Sequence, residues 1–215
     1  MTGGTNYWHF AGLIIAAFAA AGCSTWSERG EIESRRVSGL LENRQGQWHL
    51  EPCNQEQELI IADAGELDTL FDRVTQPGQT AIFVDLEGTV RADWSMRVER
   101  ILRMESAGRG CAAERAATEH WVAESLSRDW RMVIDRQGIE FTDEQNQATG
   151  PVAMISEQLP DGVMSFRSEQ DAALELWLYP QQCFDYVNDF RHLTATLIVD
   201  GKRMNGCAYK GASPR

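Results

Sequence analysis

The chain has no Gly-x-Ser-x-Gly, no P-loop, no Gly-x-Gly-x-x-Gly and no His-Glu-x-x-His. Those patterns build nucleophile elbows, phosphate cradles, dinucleotide sites and zinc hydrolases, so the readiest enzymatic readings are missing. Cys-x-x-Cys is also absent, which removes the common zinc and thioredoxin-type arrangements. Positive charge is scarce: 20 Lys and Arg face 32 Asp and Glu, a net charge of −12. Such a surface repels phosphate backbones, so no nucleic-acid partner is expected. It also disfavours electrostatic docking on anionic headgroups, so any membrane attachment should be lipidic. The apolar stretch Ala11–Gly22, "AGLIIAAFAAAG", is too short to span a bilayer, which needs about 20 residues.

That stretch has the length of a signal-peptide core, and it runs into Ala20-Ala21-Gly22-Cys23. The order is similar to a bacterial lipobox, with Ala20 where Leu is usual and no Lys or Arg before it. The resemblance implies a lipid joined to the Cys23 thiol, cleavage before Cys23 and acylation of the new amine. An ordinary secretory signal with a chance cysteine is the competing reading. Several acyl chains, at ~0.8 kcal/mol per buried CH₂, would anchor the protein durably. Ser24 after the cysteine implies sorting to the outer membrane, facing the periplasm. Residues 1–22 are thus expected to be a lipoprotein signal peptide and 23–36 a lipidated tether.

Four cysteines remain: Cys53, Cys111, Cys183 and Cys207. An even number after an export signal favours disulfides, and four cysteines allow three pairings. Cys53–Cys111 with Cys183–Cys207 is chosen because each pair stays in one half of the chain. Metal binding by His49 with Cys53, or a reactive thiol, are the alternatives.

Periodicity predicts a mainly β protein of two small antiparallel β-barrel-like domains, the first OB-like with one short helix. Domain one is set at 37–111, a linker at 112–120 and domain two at 121–211. "VSGLLE", "GQWHLEPC", "ELIIA" and "TAIFVDLEGTVRA" read as strands. Leu67, Leu70, Phe71 and Val74 fall at helical spacing, with Asp63 or Gly65 as the opening residue and Pro77-Gly78 as the stop. "SMRVERILRME" alternates imperfectly and allows a helix as well as a strand. In the second half Leu174, Leu176 and Leu178 alternate with Glu175, Trp177 and Tyr179. Leu193, Ala195, Leu197 and Val199 lead into Asp200-Gly201, a type I′ turn signal, and Asp161-Gly162 marks another hairpin tip.

The arrangement "GLLE…LEPC…ELDTLF…AIFVDLEGTV…GC" resembles the C-terminal barrel of NlpE-type copper-homeostasis and adhesion lipoproteins. Cys53, Leu67, Leu70, Leu86, Glu87, Gly88 and Cys111 occupy matching places, which implies an OB-like barrel closed by one disulfide. The copper-linked Cys-x-x-Cys of that family's other domain is absent here. The second half resembles small uncharacterised bacterial envelope domains ending in "C-x-D…A-x-L-x-x-D-G-x…G-C-A". Cys183, Asp185, Ala195, Leu197, Asp200, Gly201, Gly206, Cys207 and Ala208 fit, and Glu119 and Trp121 echo an upstream aromatic motif.

His49, His120 and His192 lack a positioned nucleophile and read as surface or strand residues. The carboxylates Asp143, Glu144, Asp185 and Asp189 suit solvated faces in so acidic a chain. Met132, Met154, Met164 and Met204 invite Cu(I) ligation, but core filling is the plainer use. Trp48, Trp94, Trp121, Trp130 and Trp177 are read as core, with some lining a groove. The basic stripe Arg97–Arg103 is expected to pair across strands. No catalytic residue, metal or cofactor is assigned. The reading is a non-catalytic binding or sensing module of the cell envelope with a protein or glycan partner. A lysozyme-type inhibitor, an envelope hydrolase and a periplasmic metal-handling protein are the alternatives.

Overall fold

A computed structural model describes residues 1, 3, 34–63, 65–107, 110–112, 121–127, 129–143, 150–169 and 174–211. Cys23, the signal segment, His120, Glu119, Glu144 and the proposed linker from 113 to 120 lie outside them. Ile32–Arg215 forms one compact unit, separate from Met1–Glu31.

The first sheet begins with β1 (Ser34–Arg44), β2 (Gln47–Pro52) and β3 (Leu59–Asp63). Helix α1 (Leu67–Val74) leads to β4 (Ala81–Val90) and β5 (Ser95–Glu105). Strand β1 pairs with β2 and β4, β2 with β3, β3 in parallel with β5, and β5 with β4. The ring β1-β2-β3-β5-β4 therefore closes on itself, a five-stranded Greek-key barrel with a helix between its third and fourth strands. The apolar spacing of α1 buries Leu67, Leu70, Phe71 and Val74 against this barrel. Neither Asp63 nor Gly65 opens the helix: Glu66 holds that position without a side-chain cap. Trp48 fastens α1 instead, donating from Nε1 to Asp68 at 2.6 Å and packing on Phe71 at 4.6 Å between ring centroids.

The uneven alternation of 95–105 has a definite cause. Pairing with β4 skips one residue between Val98 and Arg100 and another between Ile101 and Arg103. Each skip is a β-bulge that flips the following side chains, so Met96, Val98, Ile101 and Met104 all reach the core. Gly88 sits opposite the first bulge. A Cβ there would lie 2.1 Å from the Arg97 carbonyl oxygen, so only glycine fits.

The second sheet contains β6 (Trp121–Ser125), β7 (Arg131–Ile134), β8 (Ile139–Thr142), β9 (Met154–Gln158), β10 (Met164–Ser168) and β11 (Leu174–Tyr179). It is completed by β14 (Leu193–Val199) and β15 (Lys202–Lys210). Its order is β8-β7-β6-β15-β14-β11-β10-β9, antiparallel throughout. The edges meet where Ile139 and Val152 exchange two backbone hydrogen bonds of 2.9 Å, which nearly closes a second barrel. The leucines of β11 and Leu193, Ala195, Leu197 and Val199 of β14 point inward as their alternation predicts. Asp200 and Gly201 take φ of 49° and 78°, the left-handed pair a type I′ turn requires.

Two short strands were not legible in the sequence. β12 (Cys183–Phe184) and β13 (Phe190–Arg191) come from the second half of the chain but join the first sheet, β13 pairing with β5 and β12 with β13. Both expected disulfides form. Cys53–Cys111 links the end of β2 to the segment after β5. Cys183–Cys207 does not stay within one sheet: it ties β12 of the first to β15 of the second. Strand β1 also starts at Ser34, so Ser34–Arg36, assigned to the tether, are paired with Gly88 and its neighbours.

Candidate functional site

Two polar arrangements stand out in the folded unit, a buried seam and an open cleft. In the seam, β4 and β5 turn Phe83, Asp85 and Arg103 outward against Tyr209 of β15. The Arg103 guanidinium lies between the Phe83 and Tyr209 rings, 4.7 and 4.5 Å from their centroids. Glu105 meets Arg191 at 2.9 Å and Arg103 at 3.6 Å, and Arg191 also meets Glu124 at 3.1 Å. Asp85, fully buried, accepts both prongs of Arg36 and the Ser38 hydroxyl. Arg36 reaches on to the carbonyls of Lys210 and Gly211. Three carboxylates thus oppose three guanidinium groups in a desolvated layer, an arrangement that fixes geometry more than it adds stability. Burial pushes the Tyr209 hydroxyl above its ordinary pKa.

The seam absorbs several residues singled out from sequence. Arg103 of the basic stripe is buried in it, and Arg100 pairs with Glu87 across the strands. Asp189 accepts from the Ser106 amide at 2.8 Å, and Asp185 accepts from the Val187 and Asp189 amides. Both carboxylates are buried turn-builders rather than a solvated acid pair. Burial raises the Asp189 pKa.

His192 lies at the start of β14 with Nδ1 2.9 Å from the Leu102 carbonyl. A carbonyl only accepts, so Nδ1 carries the proton. Burial brings the ring pKa from 6.5 down to about 4, with Arg100 and Arg36 also opposing protonation and Asp85 favouring it. The unfolded chain therefore takes up the proton first as pH falls, and stability is lost between 6.5 and about 4. At ~pH 5 the ring's contribution should be about 2 kcal/mol below its value at ~pH 7.5. Urea unfolding at both pH values checks this; His192→Asn should flatten the dependence by that amount, and an unchanged slope would exclude the ring as its source.

The cleft opens at the mouth of the second barrel and has a volume of about 500 Å³. The β6–β7 turn supplies Leu126, Asp129 and Trp130, the end of β8 Phe141 and Asp143, and the start of β15 Lys202, Met204 and Asn205. Barrel mouths are a usual place for ligands. Ser125 shapes the turn by accepting from the Asp129 amide at 2.6 Å. Gly206 allows the Trp130 ring to lie against β15, since a Cβ there would sit 2.9 Å from the indole and 2.2 Å from the Glu124 carbonyl oxygen. The cleft is therefore of mixed character, with Leu126, Trp130, Phe141 and Met204 set among polar side chains that include Asp129, Asp143 and Lys202.

Of the remaining sequence candidates, His49 is 3.1 Å from Glu58 on the first barrel's outer surface. Met132, Met154, Met164 and Met204 all pack in or against the second core. Trp48 is core, Trp130 is core and cleft wall at once, and Trp94 is exposed at the β4–β5 turn. No group of three metal-ligating side chains occurs among the described residues, and no helix among them is long and apolar enough to cross a membrane. Leu126, Lys202 and Asn205 carried no signal in the sequence, because turn and strand-end residues have no periodicity to betray a shared cleft. Comparison with protein-family models, curated proteins and solved structures finds no match for the chain.

Proposed function

We propose that the protein is a non-catalytic binding module of the bacterial envelope, held by lipid on Cys23 at the periplasmic face of the outer membrane. The Ala20–Cys23 run and the oxidised cysteines support the location. The observation that carries the binding role is the cleft at the second barrel's mouth. Its four apolar side chains set among polar ones suit an amphipathic side chain of a partner protein, with Asp129, Asp143 and Lys202 on hand for polar contacts.

A photo-crosslinking residue at Leu126, which is 41% exposed, tests this on the full chain in membranes. One envelope protein should be captured reproducibly, and Asp129→Lys with Asp143→Lys should reduce capture about tenfold. Equal capture by the charge-reversed variant would refute the cleft as the binding surface. In the same cells Cys23→Ser should leave the precursor uncleaved and unlabelled by fatty acid; normal processing would refute the anchor.

A further inference from the structure

Strand β9 is an open edge of the second barrel. Closure stops at Val152, which exchanges its backbone hydrogen bonds with Ile139 of β8. Beyond Val152, β9 pairs with β10 on one side and, among the described residues, with no strand on the other. The β10 ladder shows which backbone groups are left over. The Leu159 amide donates to the Val163 carbonyl, and the Glu169 amide to the Ala153 carbonyl. The odd-numbered residues of β9 thus bond to β10, and Met154, Ser156 and Gln158 turn their N–H and C=O groups to the open side, as Val152 does. Residues 155–158 are exposed whichever face of the strand they lie on.

This edge lacks the devices that keep strands apart. Met154–Gln158 contains no Lys and no Pro, and its register with β10 is unbroken by a bulge. Its one charge, Glu157, is matched by Arg167 at 3.2 Å. Ile155 and Leu159, 47% and 37% exposed, flank that pair along the strand. A row of unpaired donors and acceptors beside exposed apolar side chains is a template for another extended strand.

We propose that the strand is β9 of a second copy, paired antiparallel about a two-fold axis through Ser156. That axis sets Ser156 against Ser156, and Met154 against Gln158 of the other copy on either side. Every outward residue of both strands is then used, for about six backbone hydrogen bonds. An axis at Ile155 would put Gln158 opposite Val152, whose groups Ile139 already holds. An axis at Glu157 would put the two glutamates directly opposite each other, which is unfavourable. With the axis at Ser156, Ile155 faces Glu157 of the other copy, whose charge Arg167 balances, and Leu159 faces Ala153. The joint therefore adds no net charge to a chain of net charge −12. It is isologous and consumes the open side of β9 in both copies, so assembly stops at the dimer. Neither the cleft nor the lipid anchor enters the argument.

Sedimentation of the full-length protein in detergent, from about 1 to 500 µM, tests this. Monomer should pass to dimer with a Kd of about 10–100 µM, since one short strand makes a small interface. Ile155→Glu should weaken the dimer about tenfold, because each new carboxylate faces Glu157 of the other copy. Within its own chain that residue lies opposite Arg167, so the urea midpoint should hold. Adding Glu157→Lys to Ile155→Glu should restore the dimer, because the facing charges are then opposite. Ser156→Cys, on the axis, should join two chains on oxidation, whereas Glu140→Cys on β8 should not. A monomer throughout the range, an unaffected Ile155→Glu dimer, no restoration by Glu157→Lys or growth past the dimer would overturn the proposal. So would crosslinking of Ser156→Cys to a different protein while the chain stays monomeric.

Discussion

Asp85→Ala should destabilise the folded unit by about 3–5 kcal/mol, the usual cost of removing one partner of a buried ion pair. Asp85 is fully buried and is the shared acceptor for Arg36 and Ser38, with Arg103 at 4.0 Å. Its loss leaves two desolvated guanidinium groups facing each other across the seam. The neighbouring pair makes the control. Glu87 lies on the same strand, but its partner Arg100 is 60% exposed, so Glu87→Ala should cost less than about 1 kcal/mol. Urea unfolding of both variants decides the matter. Similar losses for the two would mean that the seam is no more than a set of surface pairs.

Removal of the Cys183–Cys207 link, as the double alanine variant, should cost roughly 3.5 kcal/mol through the unfolded chain alone. The sequence separation of 24 sets that figure. A second effect comes from where the link lies. It joins β12 to β15, and the pairing of β12 and β13 to the first sheet rests on short ladders of two residue pairs each. Amide exchange at Phe190 and Arg191 should therefore accelerate more than exchange in β4 or β14. Uniform acceleration would show that the bridge acts only through chain entropy, and an unchanged urea midpoint would show that it does neither. Removing Cys53–Cys111 should leave Phe190 exchange tied to global unfolding, because that bridge stays within the first barrel.

Much of this molecule was written in local pattern. The spacing of Leu67, Leu70, Phe71 and Val74 requires a helix, and alternation in β11 and β14 requires strands with one buried face. Asp200-Gly201 requires a tight turn, and cysteines kept near in sequence predicted both bridges. These features were legible because periodicity and turn chemistry act over a few residues. The bulges of β5 were visible only as a flaw in the alternation, since the missing register partner is on β4. Arg36 looked like tether because its charge masks a strand whose inward residue is Val37.

What the sequence by itself determined is the β-rich composition of the core, the helix, the hairpins and the oxidised cysteines. Only the tertiary structure decided that β12 and β13 cross to the first sheet, that six charges meet in one seam, and that Leu126, Asp143 and Asn205 share a cleft. The physical reason is range. A side chain's own neighbours fix its secondary structure, whereas burial of charge and the closing of a barrel mouth depend on which distant strands come together.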